Sequence, residues 1–168
     1  SRRQAGLGVS DVPDAAPLDI NSFAEFKKKY NFVISNKYTA NETTEIIKIL
    51  NGHKSRKHKY RRFRAIYYCY IEKNYELMKK YYLMAIELGD TKSAYDLGHY
   101  YQTVEQCPDL MKKYYLMAIE RGHTFAMSNL GLYYQNIEKN YELMKKYYLM
   151  AIELGNAGGM SNLGYYYQ

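Results

Sequence analysis

The sequence predicts an all-α chain, a helix-turn-helix solenoid of 33-residue repeats behind a small N-terminal helical cap. Three observations predict it. The string LMKKYYLMAIE stands at 77–87, 110–120 and 143–153, and Leu-Gly-x-Tyr-Tyr-Gln begins at 97, 130 and 163, so both recur at a spacing of 33. A glycine (Gly89, Gly122, Gly155) closes each copy of the first string at one phase. Finally, the chain has 22 Tyr against 5 Phe and no Trp, and only Tyr30 and Tyr38 precede Tyr60. Such uneven aromatic usage marks a duplicated tyrosine-bearing unit that starts near residue 60.

The bulk composition agrees with one ordinary core. At 168 residues and 47% apolar, the chain has the size of a single domain. With 11 Gly and 3 Pro it is neither collagen-like nor Pro/Gly-rich disordered material, and two cysteines make no disulfide framework. No apolar run approaches the ~18 residues of a membrane span, and no apolar stretch follows Arg2 and Arg3 as in a secretory signal. The expectation is a chain in a reducing compartment, cytoplasmic or, with its basic run, nuclear.

Residues 1–20 lack Lys and Tyr and differ in composition from the rest of the chain, which predicts a disordered extension of separate origin. Within 21–59, Ser22-x-x-Glu25 precedes FKKKY and Thr39-x-x-Glu42 precedes IIKIL, two capping-box spacings. They predict two short helices that cap the repeats with Phe23, Phe26, Phe32, Ile46, Ile47 and Leu50. The net charge of +7 comes from one segment, KSRKHKYRRFR at 54–64. Its bases are Lys54, Arg56, Lys57, Lys59, Arg61, Arg62 and Arg64. This run reads as a solvated helix face leading into the repeats, as a nuclear-localisation address, or as a nucleic-acid contact in which Tyr60 and Phe63 stack on bases.

The repeats occupy 60–168, three copies after a degenerate one in which RAIYYC at 64–69 puts Ala65 in the glycine position. Each unit reads as two helices. The first, over 124–135, takes Thr124 as N-cap and sets Ala126, Leu130 and Tyr134 on one face. The second, over 139–154, places Tyr141, Met144, Tyr148, Ala151 and Ile152 at helical spacing and ends at Gly155 in a left-handed cap. Pro108 begins the second helix of the middle copy, where a missing N–H costs nothing. Gly98, Gly131 and Gly164 let a neighbouring helix approach, and Tyr101, Tyr134 and Tyr167 are expected to pack beside them. Most tyrosine hydroxyls are expected at the rim or on a carbonyl, because an unpaired buried hydroxyl costs ~1–3 kcal/mol.

NYELMKKYYLMAIELGD at 74–90, followed by small-x-x-x-Leu-Gly-x-x-Tyr, resembles the Sel-one-like repeat, a relative of the tetratricopeptide repeat. The matching positions in the last copy are Tyr141, Tyr148, Ala151, Gly155, Gly159, Leu163, Gly164 and Tyr167. The resemblance covers roughly residues 60–168 and implies a right-handed solenoid whose first helices line a concave groove. It departs from the family in a shorter turn between helices, in Met78, Met111 and Met144 for a common Ala, and in Tyr81, Tyr114 and Tyr147 for a common Trp. Repeats so alike and so rich in Lys, Asn and Tyr also resemble those encoded by large DNA viruses, which implies a viral protein working in host cytoplasm.

The copies, compared with one another, suggest a site. The second helix is nearly invariant, while the first varies at Lys92/Phe125/Gly158, Tyr95/Ser128/Ser161, Asp96/Asn129/Asn162 and His99/Leu132/Tyr165. Such divergence arises either by drift on a solvated surface or at a contact. By the family resemblance these positions face the groove. Lys92, Tyr95, His99, Phe125, Asn129, Leu132, Asn162 and Tyr165 are therefore the expected contacts for a protein or peptide ligand. The expected function is a protein-interaction scaffold or adaptor. The alternative is a nucleic-acid-associated factor using 54–64, with the repeats recruiting a protein. Because 163–168 ends a first helix with no second helix over it, the natural protein is expected to continue or to self-associate there.

No enzyme is expected. There is no Gly-rich phosphate loop, Gly-x-Ser-x-Gly elbow or His-Glu-x-x-His helix. Cys69 and Cys107 form no Cys-x-x-Cys pair, and with His99 and His123 they do not make a metal site, so no cofactor is expected. The repeated Glu87, Glu120 and Glu153 read as surface residues or inter-repeat partners of the Lys pairs, not as acid/base groups.

Overall fold

The computed structural model describes residues 58–167, in which all regular structure is helical. The helices are α1 (His58–Tyr67), α2 (Tyr75–Glu87), α3 (Thr91–Thr103), α4 (Pro108–Ile119), α5 (Thr124–Tyr133), α6 (Tyr141–Glu153) and α7 (Ala157–Tyr166). Two π-helical turns, Tyr68–Glu72 and Tyr134–Glu138, extend α1 and α5. The extension expected at 1–20 and the cap expected over 21–59 lie outside the described residues, apart from the first two residues of α1. The chain divides into two compact units, Ser1–Ala85 and Ile86–Gln168.

In the first unit, Phe63, Ala65, Ile66, Tyr67 and Tyr68 of α1 and its π turn are buried, as are Met78, Tyr81, Tyr82 and Ala85 of α2. Tyr68 stacks on Tyr81 at 5.4 Å. In the second unit, α3 packs on α4, α4 on α5, α5 on α6, and α7 on both α5 and α6. The same kind of ring pair recurs twice: Tyr101 stacks on Tyr114 at 5.5 Å and Tyr134 on Tyr147 at 5.7 Å. Met, Tyr, Tyr and Ala at 111, 114, 115 and 118, and again at 144, 147, 148 and 151, are all buried. One stripe of each second helix thus carries the core.

Helix boundaries arise from local chemistry. Gly89, Gly122 and Gly155 have φ of +91°, +78° and +78°, so the expected left-handed caps form at all three. Pro108 is at the first turn of α4, as expected. The N-cap of α5 is His123, whose Nδ1 accepts from the Ala126 N–H at 3.4 Å, and not Thr124. The reason lies in phase: the residue directly after the cap glycine is extended, as at Asp90 and Asn156, and its side chain caps the helix that begins there. At the other turn the first helix runs on as a π turn and stops at Lys139 with φ +56°, where no glycine marks the reversal. The Asn140 N–H then donates to the Tyr134 carbonyl at 2.9 Å, and the Asn140 side chain caps Leu143 at 3.1 Å. This tight reversal moves the start of α6 to Tyr141 and leaves that side chain 42% exposed, so Tyr147, not Tyr141, completes the buried stripe.

The glycine notches exist, but another tyrosine fills them. A β-carbon on Gly98 would meet Tyr115 Cδ1 at 2.6 Å, and one on Gly131 would meet Tyr148 Cδ1 at 2.6 Å. Tyr101 and Tyr134 instead stack on the preceding tyrosine of each pair, one helical position away. The buried hydroxyls find side chains. Tyr115 donates to Gln102 Oε1 at 2.6 Å and Tyr148 to Gln135 Oε1 at 2.8 Å, while Tyr67 and Tyr100 donate to Glu72 and Glu105. Lys112 bonds Glu138 at 2.6 Å and Lys79 bonds Glu76 at 2.7 Å. Glu87, Glu120 and Glu153 are exposed at helix ends.

Candidate protein-interaction surface

The divergent positions do not form one class. Tyr95, on α3, is half-buried: its ring stacks on His123 at 4.5 Å and on Tyr115 at 5.8 Å. Asn129 of α5 donates to the Tyr95 hydroxyl at 3.4 Å and to the Tyr115 hydroxyl at 3.2 Å, and Tyr115 passes the chain on to Gln102. Burial pushes the Tyr95 hydroxyl above the usual tyrosine pKa, partly offset by the bond from Asn129. Tyr95 and Asn129 therefore join α3, α4 and α5 together, and only part of each faces water.

At the equivalent place one repeat later, Ser128 is buried and donates to Asn156 Oδ1 at 3.2 Å. Asn156 also accepts the Gly159 N–H at 3.0 Å and donates to Thr124 Oγ1 at 3.0 Å. The pair Ser128 with Asn156 thus occupies, between α5 and α7, the place that Tyr95 with His123 occupies in the seam between α3 and α5. In the sequence His123 reads as part of a Gly/His turn and, with His99, as no metal ligand. The signal that singles it out is the Asp90/His123/Asn156 difference among the three caps.

Around that seam the rings form a continuous row. His99 lies 6.2 Å from Tyr95, Tyr95 lies 4.5 Å from His123, and His123 lies 6.2 Å from Phe125, centroid to centroid. His99 is exposed and Phe125 is 63% exposed, so the row opens to water at both ends. Of the expected contacts the structure brings Tyr95, His99, Phe125 and Asn129 together, through His123. Lys92 is exposed on the same helix as Tyr95 and Leu132 is half-buried on α5. Asn162 and Tyr165 are on α7, where Tyr165 is 78% exposed.

The basic segment is placed only in part. Lys54, Arg56 and Lys57 lie outside the described residues, and Lys59 is in α1. Arg61 and Arg62 are half-buried, and burial pushes the Arg61 guanidinium below its ordinary pKa. Arg64 is not a surface cation at all: it is 7% exposed, with its guanidinium 5.1 Å from the Tyr81 ring centroid. Its helix position falls among buried side chains, beside Phe63 and Tyr67. Among the described residues there is no cluster of metal-ligating side chains, and no helix is long and apolar enough to cross a membrane. Cys69 and Cys107 are not joined in a disulfide.

No family model and no curated protein matches the chain. Its structure is similar to that of an immunity protein from Pseudomonas aeruginosa, with a TM-score of 0.54 and 18% identity over 83% of this chain. The chain spans 55% of that protein's length. A second immunity protein of the same organism matches at a TM-score of 0.43 and 19% identity, covering 86% of this chain and 69% of its own. At such identity the first likeness establishes a shared all-α fold.

Proposed function

We propose that the chain is a protein-interaction module, a helical-repeat scaffold of the Sel-one-like kind that binds a peptide or partner domain along its first helices. The observation that carries this reading is the row His99, Tyr95, His123 and Phe125. Its rings succeed one another at 6.2, 4.5 and 6.2 Å on the helices where the copies differ. Exposed aromatic side chains on such a line supply contact area at low entropic cost, which suits a protein ligand. Tyr95 and Asn129 hold the row rigid, and Phe125 and His99 are the side chains that reach the ligand. Similarity in fold to an immunity protein supports a protein as partner. The nucleic-acid reading is weakened by the burial of Arg64, which leaves the described end of the basic run with fewer cations facing water.

A peptide-display selection against the intact chain tests the proposal. Enrichment of a sequence class by the natural chain, lost in the Phe125→Ser/His99→Ser double variant at an unchanged melting temperature, is the expected result. Equal enrichment by both proteins sinks it. Filter binding of RNA that falls steeply with salt and vanishes on Arg61→Ala/Arg62→Ala favours the nucleic-acid reading instead.

A further inference from the structure

The second helices turn one charged stripe, with a leucine in it, to water. In α4 the stripe is Asp109, Lys113, Leu116 and Glu120, and in α6 it is Glu142, Lys146, Leu149 and Glu153, all exposed. At this spacing the side chains of each stripe fall within about 60° of helix arc. Leu116 is 39% and Leu149 49% exposed. Lys80, Leu83 and Glu87 stand unchanged at the same phase of α2, although exposed positions of the first helices have diverged. The glutamates are badly placed for their own helices. Glu120 is the C-cap of α4 and Glu153 the last residue of α6, so each carboxylate sits at the negative end of a helix dipole, with no basic residue in either last turn. Neither makes an ion pair among the described residues. The lysines of the stripe are steadied from below: the Lys113 and Lys146 ammonium groups lie 5.3 and 5.4 Å from the ring centroids of Tyr114 and Tyr147.

We propose that these stripes form an isologous interface between two copies of this chain, α4 against α4 and α6 against α6, each pair antiparallel. The order of charges decides both the partner and the orientation. Turned end for end about a point beside Leu149, the stripe of α6 sets Lys146 against a second copy's Glu153 and Glu153 against its Lys146, with leucine on leucine between them. Lys146 lies three residues before Leu149 and Glu153 four after it, so the rises of about 4.5 and 6 Å agree to within one residue. A parallel pair would set lysine on lysine and glutamate on glutamate. Self-complementarity of this kind is what a two-fold axis requires. The second copy supplies the cation that each C-terminal glutamate lacks and takes the leucine out of water. None of the residues of the aromatic row on the first helices is used.

Sedimentation equilibrium of the full chain over a concentration series tests it. A reversible dimer is expected, weakened about tenfold or more by Leu116→Asp/Leu149→Asp. Two charge-reversed chains then probe the pairing. Lys113→Glu/Lys146→Glu and Glu120→Lys/Glu153→Lys should each be monomeric alone and should form a heterodimer when mixed in equal amounts, a gain that no loss of folding can produce. Circular dichroism checks that each variant keeps its helices. All four reversals in one chain should restore self-association, and this version also puts lysine at the helix C-termini, where the dipole favours it. A natural chain that stays monomeric up to about 1 mM overturns the proposal. So does a dimer indifferent to the leucine substitutions, or reversed chains that are folded and fail to associate with each other.

Discussion

A β-carbon on Gly131 would stand 2.6 Å from both Cδ1 and Cε1 of Tyr148, a ring that is itself fully buried. The ring has no room to retreat, so Gly131→Ala forces the two helices apart and should cost about 1–3 kcal/mol. Gly164 occupies the same sequence phase with open space around it, so Gly164→Ala should stabilise α7 by roughly 0.5–1 kcal/mol through the ordinary helix preference for alanine. Thermal melts of the two variants should therefore shift in opposite directions, and shifts of the same sign would mean that ring and notch do not lock. Asn156 offers a parallel case at the seam. It is 9% exposed and makes three hydrogen bonds, to Gly159, Ser128 and Thr124. Asn156→Ala removes a helix cap and strands the Ser128 hydroxyl, a loss of about 2 kcal/mol or more that chemical denaturation would read directly.

At the scale of helices, the reversal at Lys139 is the costly joint. A lysine at φ +56° carries the left-handed penalty of about 1–2 kcal/mol that glycine avoids. Lys73 (φ 51°) and Gln106 (φ 50°) repeat it at the same phase. Lys139→Gly should raise the melting temperature by a few degrees, less than the full penalty because glycine gains entropy when unfolded. A fall on this substitution would show that the lysine side chain contributes more than its backbone costs. This joint also shows where sequence legibility stops. The other turn was legible because Gly89, Gly122 and Gly155 name their own conformation. The joint at Lys139 was not, because no residue there signals a positive φ and a π turn has no periodicity of its own to detect. Helical spacing placed Met144, Tyr148 and Ala151 in the core. It did not tell which of two adjacent tyrosines enters a notch, since that depends on where the facing helix crosses. Of the candidate site, Tyr95 and Phe125 were visible as differences among copies, while His123, which links them, was hidden by its place in a turn.

Across the whole molecule, duplication has put one kind of weak acid into every layer of the core. Burial raises the hydroxyl pKa of Tyr67, Tyr95, Tyr114, Tyr115, Tyr134, Tyr147 and Tyr148, with that of Tyr148 pushed up to about 12. In the unfolded chain each returns to about 10. A raised pKa in the fold means that the native state holds its proton more tightly than the unfolded chain does. The associated stability is complete below pH ~10 and is lost as the pH climbs from there toward the folded value. Because the groups sit in successive repeats, their losses add in one narrow window. The helical circular dichroism signal should hold to about pH 10 and collapse before about pH 12, in step with a rise in phenolate absorbance at about 295 nm. Tyr148→Phe, which deletes the Gln135 bond and one such proton, should lower stability at neutral pH yet move the alkaline midpoint upward. A phenolate titration of all 22 tyrosines that is complete while the helical signal stands would show that these hydroxyls are open to solvent and that the rings do not form the core described.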